Sequence, residues 1–268
     1  MSAVAEGRAG PAASAPPLRI DQLTVHFGGV TALDGVSFEV ERGQVCGLIG
    51  PNGAGKTTLF DCVSRLTRPQ RGRIELDGHD LLALEAHEVA ALGVARTFQQ
   101  LGLYSSLSVR ENVMLGGHHA CRGGFGAAAL RLPLVGREER ALRRRADEVL
   151  ERLDLAHLAA RPAAGLPYGT LKRIELARAL GATPKLLLLD EPASGLSHGE
   201  VDELIEVISA VRADGDLTVL LVEHHMGMVM RMSHKVVVLD FGSKIAEGAP
   251  AAVREDPAVI QAYLGVSA

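Results

Sequence analysis

Gly50-Pro51-Asn52-Gly53-Ala54-Gly55-Lys56-Thr57-Thr58 is a complete G-x-x-x-x-G-K-T loop. Its flanks match what such a loop needs. Before it, Val45-Cys46-Gly47-Leu48-Ile49 has the length and apolar content of a buried parallel strand; after it, Leu59, Cys62, Val63 and Leu66 fall on one helical face. A strand, a glycine-rich turn and a helix start bring backbone N–H groups and the positive end of a helix dipole around an anion. Lys56 is placed to reach β- and γ-phosphates, and the Thr57 hydroxyl to ligate magnesium. The stretch therefore predicts an α/β fold that binds a nucleotide.

Working outward, the segments Leu23–Val25 and Val36–Phe38 read as strands joined by a Gly28-Gly29 turn, and Arg73–Leu76 as a strand ending in Asp77-Gly78. From about residue 101 to 180 the pattern turns helical. Leu142, Ala146, Val149, Leu150 and Leu153 make one apolar stripe, opposite Arg143-Arg144-Arg145, Asp147 and Glu151. With acids so close, the arginine run reads as a solvated helix face and not as a nucleic-acid patch. Residues 116–136 show no clear period. Strand and helix then alternate again: Leu186–Leu189, Leu217–Val222 and Val236–Leu239 read as strands, and Val201, Leu204, Ile205 and Ile208 as a helical face. This alternation predicts a mostly parallel sheet covered on both sides. Met226, Met228, Met230 and Met232 read as gap-filling packing around a helix.

The chain of 268 residues is long enough for a sizeable core, and its net charge of −4 carries no basic excess for nucleic acid. Three cysteines without paired spacing suit a reducing compartment, with Cys46 and Cys62 as small core residues. No apolar stretch approaches 18 residues. Residues 1–17, rich in Ala, Gly, Pro and Ser, read as a disordered tail without signal-peptide features. His118, His119 and Cys121 do not match tetrahedral zinc spacing.

Two further segments bear on chemistry. Leu186-Leu187-Leu188-Leu189-Asp190-Glu191-Pro192 delivers two acids to the carboxyl edge of a sheet, where α/β folds bind ligands. Asp190 is placed to hold a magnesium ion, and Glu191 to orient or deprotonate an attacking water. Leu220-Leu221-Val222-Glu223-His224 is another buried strand with a histidine at its end, within reach of a γ-phosphate.

These segments together resemble the ATPase subunits of ATP-binding cassette (ABC) transporters, above all those of branched-chain amino acid importers and their urea and amide relatives. The likeness runs from Leu18 to Gly265. It implies a P-loop NTPase core with a mostly parallel sheet, an N-terminal antiparallel β subdomain and an inserted helical subdomain. The implied division is 18–98 and 181–248 for the core, 99–180 for the helical subdomain and 249–268 for a C-terminal helical extension. By resemblance, Phe27 stacks on adenine, Gly50–Thr58 is the Walker A loop and Asp190-Glu191 the Walker B pair. Pro51, Asn52, Gly53, Ala54, Gly55, Lys56, Thr57, Thr58 and Asp190 are then the nucleotide contacts within one chain. Gln99, in Arg96-Thr97-Phe98-Gln99, links the core to the helical subdomain and joins Thr57 and Asp190 around magnesium. Ser194-Gly195-Leu196-Ser197 is the D-loop and His224 the switch histidine. Glu223-His224-His225-Met226 and Asp256–Gly265 carry the subfamily likeness.

The resemblance also implies ATP and Mg2+ as ligands and a second cassette, identical or different, closing head to tail. It implies permease subunits that hold the chain to the inner face of a membrane from the cytoplasm, and a solute-binding protein upstream of them. Branched-chain amino acids are the expected solute, urea or short amides the alternative, and a regulatory or repair ATPase the reading from another class. A GTPase is disfavoured because no Asn-Lys-x-Asp segment occurs.

One departure stands out. Where the family signature reads Leu-Ser-Gly-Gly-Gln, this chain has Leu166-Pro167-Tyr168-Gly169-Thr170. Pro167 offers neither hydroxyl nor backbone N–H. Gly169 retains an N–H for the opposing γ-phosphate, and the Thr170 hydroxyl serves either the same purpose or as a helix cap. Two readings stay open: one strong and one weak composite site beside a different cassette, or ordinary turnover in both. The D-loop likewise ends in Ser197 where many relatives carry an acid or amide.

Overall fold

The structure is a computed structural model, and it describes residues 17–99, 101–120, 133–213 and 217–264. Two sheets organise it. The first is antiparallel, in the order β2-β1-β4-β5, from β1 (Leu18–Phe27), β2 (Val30–Val40), β4 (Arg71–Leu76) and β5 (His79–Asp80). Gly28 and Gly29 connect β1 to β2, as the alternating pattern predicts. The second sheet has the order β10-β9-β3-β8-β7-β6. Its strands are β3 (Val45–Ile49), β6 (Val94–Arg96), β7 (Leu186–Asp190), β8 (Thr218–Val222), β9 (Lys235–Asp240) and β10 (Ser243–Gly248). Only β10 runs antiparallel to its neighbour.

The central strands are buried along their whole length, and successive side chains serve two different cores. Leu186, Leu188, Leu220, Val222, Cys46 and Leu48 face the antiparallel sheet and α1 (Lys56–Val63). Leu187, Leu189, Val219, Leu221 and Val45 face the helices on the other side. Those helices are α3 (Val109–Gly116), α4 (Pro133–Arg152), α5 (Tyr168–Gly181), α6 (His198–Ala213) and α7 (Met226–Met232). Ala146, Val149 and Leu150 line the buried face of α4 and Leu153 follows it into the same core, while Arg143 and Arg144 are exposed. Met228 and Met232 fill gaps in the same core. A third cluster joins α8 (Pro250–Arg254) and α9 (Pro257–Leu264) to the main sheet through Val253, Val259, Ile49, Val229, Val236 and Val238.

Three differences from the sequence reading have physical causes. Leu66 is not on the face of α1, because the helix ends at Val63 and Arg65 takes φ 60; Leu66 is 60% exposed. The strand β6 and the short helix α2 (Ala86–Ala91) carry too few residues to show a period. Thr170 does not cap α5: Pro167 is the capping residue and makes no side-chain cap hydrogen bond, so Thr170 already lies inside the first turn. Cys121 and most of 116–136 lie outside the described residues, as do 1–16 and 265–268.

Candidate functional site

Strand β3 ends at Ile49 and α1 starts at Lys56, so the glycine-rich loop spans the carboxyl edge of the main sheet. Gly55, just before the helix, takes φ 99, and a Cβ there would lie 2.4 Å from the Ala32 carbonyl oxygen. Only glycine lets the loop pass that closely under β2. Ala54 is buried, Asn52 and Gly53 are exposed, and Thr57 is exposed at the helix start. Lys56 is folded back: its Nζ donates to the carbonyls of Gly50 and Pro51, both at 2.8 Å. Burial lowers the pKa of its ammonium, opposed by the charges of Glu191 and Asp190.

Beside the loop, the ends of β6, β7 and β8 converge. Glu191 follows β7 with φ 47, a left-handed conformation that is strained for a residue with a side chain; its N–H donates to the Val222 carbonyl at 2.9 Å. Its carboxylate holds two partners from other segments. Oε1 lies 2.8 Å from His224 Nε2, and Oε2 accepts from Gln99 Nε2 at 3.0 Å. Three residues separated by up to 125 positions (224 − 99) in the chain thus meet at one carboxylate. Asp190 is almost buried, and its Oδ2 accepts from Arg96 Nη2 at 2.9 Å. Phe27 is 53% exposed at the end of β1.

Two groups here had gone unassigned in the sequence. Glu223 is buried, and its Oε1 accepts from Ala193 N at 2.7 Å. Its Oε2 accepts from His224 N and His225 N at 2.8 and 3.0 Å. It therefore ties the segment after Glu191 to the segment carrying His224. An acid at the end of an all-apolar strand was the available signal, since a buried carboxylate needs donors. Arg96 is the second, its side chain 8% exposed.

The signature segment presents differently. Pro167 and Tyr168 are exposed, whereas Gly169 is buried with its Cα against the Glu200 carboxylate. Tyr168 covers Gly195, and the Lys172 ammonium lies 5.8 Å from the Tyr168 ring centroid. Ser197 donates from N and Oγ to Glu200 Oε2 at 2.8 and 2.7 Å. Ser197 thus opens α6 as the first member of an S-x-x-E capping box, which explains a serine at that position.

Comparisons with known proteins agree with this geometry. A family model described as ABC transporter matches residues 33–194, and one described as branched-chain amino acid ATP-binding cassette transporter matches 243–268. The high-affinity branched-chain amino acid transport ATP-binding protein BraF of Pseudomonas aeruginosa is 41% identical over 252 residues, covering 94% of this chain and 99% of that one. LivG of Escherichia coli, of the same description, is 39% identical with the same coverage. A nucleotide-free ATP-binding cassette from an ABC transporter superposes with TM-score 0.80 at 31% identity, covering 92% of this chain and 98% of the other. The ADP conformation of such a cassette gives the same values. The chain belongs to the ATP-binding cassette family of transporter ATPases.

Proposed function

We propose that this chain hydrolyses ATP as the motor subunit of an importer for branched-chain amino acids. The observation that carries the chemistry is the Gln99–Glu191–His224 cluster at the sheet edge that also bears Lys56. The match of the last 26 residues (243–268) to the branched-chain amino acid transporter model, with the names of BraF and LivG, supports the solute class.

In this reading Phe27 stacks on the adenine ring and the amides of Gly53–Thr58 grip the phosphates. Pro51 and Asn52 line the entrance of the loop. The Lys56 ammonium exchanges the Gly50 and Pro51 carbonyls for β- and γ-phosphate oxygens, a larger charge that repays its burial. Glu191 orients the attacking water and accepts its proton. His224 and Gln99 hold that carboxylate in line, so the water meets the γ-phosphorus in the geometry that phosphoryl transfer needs. The donor set fits a hard cation: the Thr57 hydroxyl, the Asp190 carboxylate and the Gln99 side-chain carbonyl all offer oxygen. Magnesium, when bound there, neutralises charge on the β- and γ-phosphates. Gly169 of a second cassette, identical or different, completes the enclosure, and permease subunits hold the pair at the inner face of the membrane. Among the described residues no helix is long and apolar enough to cross a membrane.

Glu191→Gln is expected to bind ATP nearly as the wild type does while losing at least about a hundredfold in turnover. Lys56→Ala is expected to weaken binding itself. Retention of most of the rate by Glu191→Gln removes Glu191 from its role. Reconstitution with the permease subunits and solute-binding protein that co-purify with it, assayed with labelled leucine and urea, decides the solute: uptake of urea alone overturns the branched-chain assignment.

A further inference from the structure

One cation in this site has no part in the scheme above. Arg96 closes β6, and its side chain is withdrawn from water. Its Nη1 donates to Asp61 Oδ1 at 2.6 Å and to Ser64 Oγ at 3.0 Å, both on or at the end of α1, the helix that begins with Lys56. Its Nη2 donates to Asp190 Oδ2 at 2.9 Å. The guanidinium carbon lies 5.5 Å from the Phe60 ring centroid and 5.3 Å from that of Phe98. Arg96 Nε is buried without a partner, so the fork is held for its two ends.

The next residue grips the same acid by its main chain. Thr97 Oγ1 accepts from Asp190 N at 3.2 Å, and Thr97 N donates to the Leu188 carbonyl at 2.9 Å. Arg96 fixes the carboxylate of Asp190 while Thr97 fixes its backbone. One positive charge facing two carboxylates leaves the pair with a net charge of −1 and one Asp190 oxygen, Oδ1, free of the fork. A fold needing only a filled interior gains nothing from a buried ion pair over apolar side chains of similar volume. The Phe98 ring over the guanidinium also lines a surface groove with Leu115, His119, Glu175 and Arg178, so anything seated in that groove bears on Arg96 through Phe98.

We infer that Arg96 is a positioning residue, which aims the Asp190 carboxylate at the cation site and ties it mechanically to the Phe98–Gln99 segment and to α1. The inference rests on the ATPase reading of the site.

The test is an equilibrium titration of Mg2+ into the full chain with a fluorescent ATP analogue, which does not depend on turnover. In Arg96→Met the Mg2+ concentration giving half-maximal binding is expected to rise about tenfold or more, the scale of one lost charge-assisted hydrogen bond. Arg96→Lys, with charge but no fork, is expected to lie between. Metal-free binding of the analogue is expected to stay within about twofold. A purely structural Arg96 would lower the melting temperature with the Mg2+ midpoint unmoved, as expected for Val113→Ala in the remote helical core. A folded Arg96→Met with an unmoved midpoint overturns the inference while wild-type binding leaves the ATPase reading intact. Should Arg96→Met not fold, Thr97→Val serves, with about a threefold shift expected and none overturning the inference. A wild-type chain that binds no nucleotide overturns both.

Discussion

At the scale of single residues, burial decides which groups keep their ordinary chemistry. Glu175 on α5 is 6% exposed and accepts from Phe98 N at 3.3 Å. Desolvation raises its pKa, opposed by Lys172, by the N–H groups of Phe98 and Gly102 and by Arg178. A carboxyl with a raised folded-state pKa gives stability that is complete below the unfolded value and is lost as pH rises through the folded one. Glu175→Gln removes that loss. Its melting temperature relative to wild type is therefore expected to be higher at pH 7.5 than at pH 4.5. An equal difference at both pH values would show that Glu175 ionises without cost. Burial also pushes the Cys46 and Cys62 thiols up to about 12. An alkylating reagent at pH 8 is expected to label them only in denaturant, read by mass spectrometry of the peptides. The glycine-rich loop and Glu191 were legible from spacing, because they lie within nine consecutive positions or at a strand end. The contacts that hold Glu191 and Asp190 were not legible from spacing, because Gln99, His224 and Arg96 reach them from the ends of other strands.

Among elements, strand β7 shows how far a pattern carries. Four consecutive leucines announce a strand buried on both faces, and the structure divides them between two cores. Helix α5 shows the limit. Its glycines and its buried Lys172 and Glu175 obscure the amphipathic pattern, since it is surrounded on most sides. Helices α3 and α5 approach each other through reciprocal glycines. A Cβ on Gly116 would lie 1.8 Å from the Arg178 carbonyl oxygen, and one on Gly181 2.6 Å from that of Val113. Contacts that short force the backbones apart. Gly116→Ala is expected to cost about 2 kcal/mol or more in urea unfolding, despite the better helix propensity of alanine. A neutral or stabilising result would mean that the two helices separate freely.

For the whole molecule, the main sheet is a shared wall: one face holds the antiparallel sheet and α1, the other the helical bundle, and the edge between them carries the site. The C-terminal helices belong to this wall. Val253 and Val259 cover Ile49, directly before the phosphate loop, and Val229, in the helix that follows the His224 segment. Truncation after Gly248 is expected to cost about 3 kcal/mol or more by uncovering these side chains. It is also expected to weaken ATP binding, measured in the same titration as for the intact chain. Unchanged stability would mean that α8 and α9 only lie on the surface.

The sequence by itself determined the phosphate loop, the acid-ending strand, the alternation that makes a mostly parallel sheet, and the family. Each of these depends on interactions among near neighbours in the chain, which leave a period or a spacing. Only the tertiary structure decided that Lys56 rests on its own loop, that Glu191 is shared by Gln99 and His224, and that Arg96 joins Asp61 to Asp190. The Lys56 contact depends on how the loop closes, while the other two pairings form across strand ends whose adjacency is set by sheet order, and sheet order depends on which faces bury together over the whole chain.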